Sequence, residues 1–251
     1  MRKLVTVFAA LAVAGMAMAQ AESQIVGYVT ETISAKEMNI IGVHFQNTDD
    51  SSLNVQDILP DTGISAGTDL LRVWNPATGT YTSVYYFGDT YADFGYDPDL
   101  GPGWADGDQI RSNFSIEAGQ SFWLATTKET SVTIAGEVLA ATDNKVSTLA
   151  KTMNMISNTF PVDANIQNVT PISGISFGTD LLRIWDSAMG VYKSFYYFPD
   201  TYADFGYDPD LGAGWADGDQ IRANIQIPVG SGFWLATDKA TVLEFVAPAG
   251  I

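Results

Sequence analysis

Apolar and polar residues along this chain recur with a period near two, the spacing of a strand with one buried face. The stretches Gln24–Ile33, Met38–Phe45, Asp69–Asn75, Thr80–Phe87, Phe114–Thr126 and Ser131–Val138 are short. They are rich in Val, Ile, Thr, Tyr, Phe and Trp, residues whose branched or flat side chains suit a pleated surface. Turn chemistry lies between them: Asp61-Thr62-Gly63, Asn75-Pro76-Ala77-Thr78-Gly79 and Glu117-Ala118-Gly119. Trp74 and Tyr81 flank one of these turns, and Gly79 can supply a positive φ, so Trp74–Tyr81 predicts a hairpin. Asn54–Leu59 (NVQDIL) is long enough for a single helical turn, and no segment carries the pattern of a long amphipathic helix. The fold class predicted is all-β, in sandwich-like or barrel-like modules.

The pattern also repeats. Gly67–Thr126 aligns without gaps to Gly178–Thr237 at an offset of 111, with 44 identities in 60 positions. Upstream, Met38–Phe45 matches Met153–Phe160, and Asn54–Ser65 matches Asn165–Ser176. Repetition at this length predicts two tandem modules, residues 20–139 and 140–251, each of ordinary domain size. The joint near Leu139–Ser147 is short and lacks a Pro- or Ser-rich linker, which brings the modules close enough to pack or share a sheet.

The first residues follow another plan. Arg2 and Lys3 precede an apolar run from Leu4 to Met16, and Ala17-Met18-Ala19 has the small-x-small form of a cleavage site. Residues 1–19 therefore read as a secretory signal peptide, and the mature protein is expected to be exported, with no transmembrane segment.

Composition narrows the partners. The chain of 251 residues has 29 Asp+Glu against 12 Lys+Arg, a formal net charge of −17. Such a balance excludes nucleic acid as the main partner, which would need a basic face. The absence of cysteine removes disulfides, thiolate metal sites and a thiol nucleophile. At 46% hydrophobic and 12% aromatic, the chain can bury a core.

The ordered blocks Asn39–Gly42, Leu70–Tyr81 and Gly119–Leu124 repeat as Asn154–Ser157, Leu181–Tyr192 and Gly230–Leu235. In this order they resemble a β-rich repeat module of secreted bacterial surface proteins, with the pattern N-L-I-G, then W-x-P-x-T-G-x-Y, then G-x-G-F-W-L. Ser157 and Asp186–Met189 depart from that pattern, and neither copy has the Asn-Pro expected after the first block. The resemblance implies an exported surface or matrix module and carries over no catalytic residue.

One segment falls outside the resemblance. Tyr85–Arg111 and Tyr196–Arg222 differ at only two of 27 positions, whereas the upstream blocks share 10 of 20. Each interleaves six aspartates with aromatic rings and glycines. Three readings compete. In the first, Asp and Gly build turns and the rings form a local core. In the second, Asp97, Asp99, Asp106 and Asp108, with Asp208, Asp210, Asp217 and Asp219 in the other copy, gather oxygen ligands for calcium. The ion would also relieve their mutual repulsion, although the spacing matches no EF-hand. In the third, Tyr91, Tyr96 and Trp104, with Tyr202, Tyr207 and Trp215, stack on the sugar faces of an extracellular polysaccharide, and two sites on one chain give avidity.

Catalysis finds little footing. A carboxylate-based glycosidase stays open on composition alone, but both copies carry the same aspartates, modules this small rarely form a deep cleft alone, and a shared cleft would need both loops to converge. His44 is the only histidine, and Thr159 occupies its place in the second copy. A lone strand histidine is more often a satisfied or exposed residue than a general base. Arg72, Arg183, Arg111 and Arg222 occupy matching positions and suggest charges paired with their own loops, or simply arginines on a strand edge. The function expected is that of an exported non-catalytic envelope or extracellular matrix protein acting by binding or self-association. The alternative is a secreted carbohydrate-binding or carbohydrate-active protein that uses the acidic-aromatic loops, with calcium as the one candidate cofactor.

Overall fold

The computed structural model describes residues 26–49, 51–60, 64–88, 101–186, 189–199 and 212–247. Of these, 53% are strand and 3% helical, so the chain is all-β. The first copy holds β1 (Val26–Ile33), β2 (Met38–Gly42), β3 (Phe45–Gln46), β4 (Leu53–Asn54), β5 (Leu59–Pro60), β6 (Leu70–Asn75) and β7 (Thr80–Phe87). After them come β8 (Gly103–Ala105), β9 (Ser115–Ile116), β10 (Ser121–Ala125) and β11 (Thr130–Val138). The second copy holds β12 (Lys145–Ser147), β13 (Thr152–Ser157), β14 (Ala164–Asn165), β15 (Val169–Ser173), β16 (Leu181–Asp186) and β17 (Val191–Phe198). It ends with β18 (Gly214–Ala216), β19 (Gln226–Ile227), β20 (Gly232–Thr237) and β21 (Val242–Phe245).

Each copy builds one five-stranded sheet, in the order β2-β10-β6-β7-β8 or β13-β20-β16-β17-β18. A smaller sheet accompanies it, β1-β11-β3 with β5 on β11 in the first copy and β12-β21-β15 in the second. These four sheets stand in an arrangement like the blades of a four-bladed propeller. Strands β10 and β20 explain why their sequences are apolar at consecutive positions rather than alternating. Phe122 and Leu124 enter the core of the first copy with Val29, Leu71, Val84 and Ile134. Trp123, pointing the other way, enters a separate cluster with Ile40, Met155 and Trp234 from both copies. A strand buried on both faces loses its polar positions.

The motif residues turn out to be local stitching. Asn39 bonds across its turn, accepting from the Ser34 amide and donating to the Ser34, Glu37 and Leu124 carbonyls, and so holds Lys36 at φ 62°. Asn154 repeats this around Lys151. The predicted hairpin pairs β6 with β7, Trp74 opposite Tyr81, with their rings edge to face at 4.8 Å and Gly79 at φ 66°. The predicted helical turn is a single 3-10 turn, Val55–Asp57, capped by Asn54.

Candidate functional site

The acidic segment begins as β7, returns as β8, and pairs antiparallel with itself: Tyr85 opposite Ala105, Tyr86 opposite Trp104, Phe87 opposite Gly103. Trp104 is fully buried, with its indole N–H donating to the Ile58 carbonyl at 2.9 Å and its ring edge-on to Tyr86. Trp215 sits identically, donating to the Val169 carbonyl at 2.7 Å. This corrects the ligand-stacking role expected of both: a ring with no exposed face meets no sugar. The side chain that fixes them is Gln56, presented by the 3-10 turn. Its amide donates to the carbonyls of Trp104 and Ser112 and accepts from the Trp104 N–H. Gln167 does the same for Trp215 and Ala223.

Of the proposed metal ligands, Asp106 and Asp217 each spend one carboxylate oxygen on two backbone amides, those of Asp108 and Ile110 or of Asp219 and Ile221. Asp108 and Asp219 are exposed at the same turns. Tyr91, Tyr96, Asp97, Asp99, Tyr202, Tyr207, Asp208 and Asp210 lie outside the described residues. Among the described residues no three acids or histidines gather as a metal-binding group.

What the hairpin base does form is a concavity, twice. In the first copy Gly67, Thr68, Tyr85, Phe87, Asp106 and Gln109 line about 500 Å³. The matching Gly178, Thr179, Tyr196, Phe198, Asp217 and Gln220 line about 410 Å³. Gln109 and Gln220 adopt φ 64° and 61°, a region that side-chain-bearing residues seldom occupy. Each also holds a buried carboxamide oxygen with no hydrogen-bond partner. No local sequence pattern marks these glutamines. Their only signal was their place inside the near-invariant repeat.

The arginines divide. Arg111 donates to the Gly101 carbonyl and Arg222 to the Gly212 carbonyl. Arg72 and Arg183 lie on β6 and β16, inner strands of the five-stranded sheets, not on an edge. Arg72 stands 6.0 Å from the centre of the Tyr81 ring, and Arg72 and Arg183 each hold a buried Nε without a hydrogen bond.

A second constellation joins the copies. The Gly42 amide donates to the Gly230 carbonyl at 2.6 Å, and the Ser157 amide to the Gly119 carbonyl at 2.8 Å. Gly42 matches Ser157 in the repeat, and Gly119 matches Gly230, so the joint is a pseudo-two-fold contact of like on like. His44 breaks that symmetry. In the first copy the Gly119 amide bonds the Val43 carbonyl directly at 2.8 Å. In the second, the imidazole of His44 stands between the equivalent groups. Its Nδ1 lies 2.7 Å from the Asn158 carbonyl, and its Nε2 accepts the Gly230 amide at 2.9 Å. The ring is therefore neutral with its proton on Nδ1. Burial holds its pKa down, at about 4. Thr159, its counterpart, is buried with its hydroxyl unpartnered.

Compared with protein-family models, curated proteins and solved structures, the chain has no match.

Proposed function

We propose that this is an exported, non-catalytic protein of the cell envelope or extracellular matrix, built from two sandwich-like modules and acting by binding an extracellular polysaccharide at two equivalent sites. The observation that carries this reading is the repeated concavity at the hairpin base. It keeps the same aromatic walls and the same unpartnered glutamine oxygen in both copies, while other parts of the repeat have diverged. An aromatic wall beside a vacant acceptor suits a polyhydroxylated ligand, whose hydroxyls donate while its C–H face meets a ring. Core packing drawn from both sheets of each copy supports the sandwich-like description. Tyr85→Ser and Tyr196→Ser each remove one wall; these rings pack on the small Phe87–Ala105 and Phe198–Ala216 clusters and lie outside the two main cores. Retardation in polysaccharide-containing gels should weaken with either change and vanish with both. Loss of avidity from two sites to one costs on the order of a hundredfold. Unchanged retardation of the double variant overturns the reading.

A second reading, self-association, is favoured by β1. It pairs only with β11 among the described strands, and it exposes Val26 and Tyr28 by 63% and 74%. A long edge strand with apolar side chains is a template for pairing with another chain. Light scattering of the wild type against Tyr28→Lys decides it. Particles that grow with concentration only in the wild type support assembly, and equal monomeric scattering rejects it.

A further inference from the structure

The joint between the copies carries two titrating side chains that meet one backbone residue, Gly230. His44 accepts the Gly230 amide, as described. At the same residue, Glu31 packs so closely on Gly230 that a Cβ there would meet its side chain. Across from Glu31 stands Asp163, whose carboxylate caps the neighbouring Val229 amide at 2.8 Å. Val146 occupies the place of Glu31 in the second copy, as Thr159 does that of His44. Both titrating groups are thus additions to one side of an otherwise repeated contact.

We propose that Glu31 with Asp163 and His44 form a pH-compensated joint, in which acid strengthens the contact on the Glu31 side as it weakens the contact on the His44 side. The two effects follow from their chemistry. Protonating His44 places an Nε2–H against the Gly230 N–H, so both donors point at each other and the buried cation lacks a partner. Protonating Glu31 removes a half-buried charge and its repulsion from Asp163. Among the described residues no other charged side chain enters the balance at either group: the shift at His44 traces to burial and the Asn158 carbonyl, and that at Glu31 to burial and Asp163.

The directions oppose. In the joint the pKa of His44 is lowered from 6.5 to about 4. The separated or unfolded state then binds the extra proton between those values, and stability falls as pH drops through that window. In the joint the pKa of Glu31 is raised from 4.5 to about 7, by burial first and by Asp163 second. Here the folded state binds the extra proton, and stability rises as pH drops from about 7 toward 4.5. Over the shared window near pH 4.5–6.5 the slopes cancel in large part. For a protein proposed to work outside the cytosol, where no compartment fixes the pH, such a joint keeps its two modules in one arrangement. The inference does not depend on what the modules bind.

Glutamine can replace each group with a neutral one. His44→Gln keeps one donor and one acceptor, and Glu31→Gln keeps the shape. The test is denaturant unfolding of the full chain by tryptophan fluorescence from pH 4.5 to 6.5, referred to the double variant, which carries every other carboxylate. Glu31→Gln, left with His44 alone, should lose about tenfold in its folding constant per pH unit on acidification. His44→Gln should gain severalfold per unit, less than tenfold because Glu31 is partly solvated. The wild type should stay within a few-fold of flat. A wild type as steep as Glu31→Gln, or single variants parallel to the double variant, overturns the proposal. A measurement without variants guards against misfolding: the chain has one histidine, so the untagged protein gives one imidazole titration by NMR. A midpoint near 4 supports the proposal, and one near 6.5 defeats it.

Discussion

Gln56 shows how a single side chain can hold a hairpin that lies far from it in sequence. Its amide satisfies three backbone groups, at Trp104 and Ser112, 48 and 56 residues away. Gln56→Ala strands these groups in a water-poor site, and each stranded group costs about 1–3 kcal/mol. Allowing for partial rescue by water, the expected loss is about 2–4 kcal/mol, read as a lower denaturation midpoint with an unchanged slope. Gln56→Glu is the sharper probe, because it sets a carboxylate oxygen against two carbonyls and should destabilise at least as much. Trp104→Phe, which removes one ring of the fully buried indole and strands the Ile58 carbonyl, should cost about 2–4 kcal/mol, the lost hydrogen bond plus the cavity left behind. Little of this was legible beforehand. The sequence marks Gln56 as part of a single helical turn, but a bond spanning some fifty residues leaves no local trace. Asn39 was better marked: its partners lie mainly within five residues, and an asparagine opens the matching block in both copies, N-I-I-G and N-M-I-S. The fully buried Trp104 defeats any reading from composition, because aromatic residues beside aspartates look alike whether they point into a core or out of it.

Elements were more readable than residues, because strand and turn chemistry is local. The alternation in Thr80–Phe87 and the turn Asn75–Gly79 led directly to the β6–β7 hairpin. Phe114–Thr126 divides into β9 and β10 around Gly119 at φ 87°, at the Glu117-Ala118-Gly119 turn that the sequence marks. That glycine is where the first copy receives the Ser157 amide, so the break serves a contact between copies that no local pattern encodes. Two hairpin glycines separate backbone strain from crowding. A Cβ on Gly79 or Gly190 would meet nothing within 4 Å, yet both have φ near +65°. Gly79→Ala and Gly190→Ala should therefore each cost only about 1–2 kcal/mol, the penalty of a left-handed L-residue. The cost should be equal in the two copies within error. A much larger loss at one of them, measured by thermal unfolding, would mean that its turn is packed in solution.

At the scale of the whole molecule, duplication supplies two similar halves, and the joint decides whether they act as one body. The repeat was plain in the sequence, and so was the short connection. The joint was not, because the residues at its axis differ between copies: Gly42 faces Ser157, and Ser121 faces Gly232. Each small residue makes room for its counterpart, a complementarity invisible to an alignment that scores them as drift. Around this axis Trp74 donates its indole N–H to the Met153 carbonyl at 2.6 Å and sets its ring edge-on to Trp234 at 5.8 Å. Trp185, the counterpart of Trp74, has a buried indole N–H with no partner, so the joint fits better on one side than on the other. Gly232→Val tests what the joint contributes. Its side chain would collide with Ser121 and Ile40 of the other copy, while Phe122, Leu124, Phe233 and Leu235 keep their places in the two cores. Circular dichroism should then retain the strand signal of the wild type. Fluorescence of the joint tryptophans should shift toward that of solvated rings, and thermal unfolding should separate into two steps, since the copies no longer stabilise one another. One transition at the wild-type midpoint would mean that the contact adds nothing to stability and that the halves behave as two neighbours on a string.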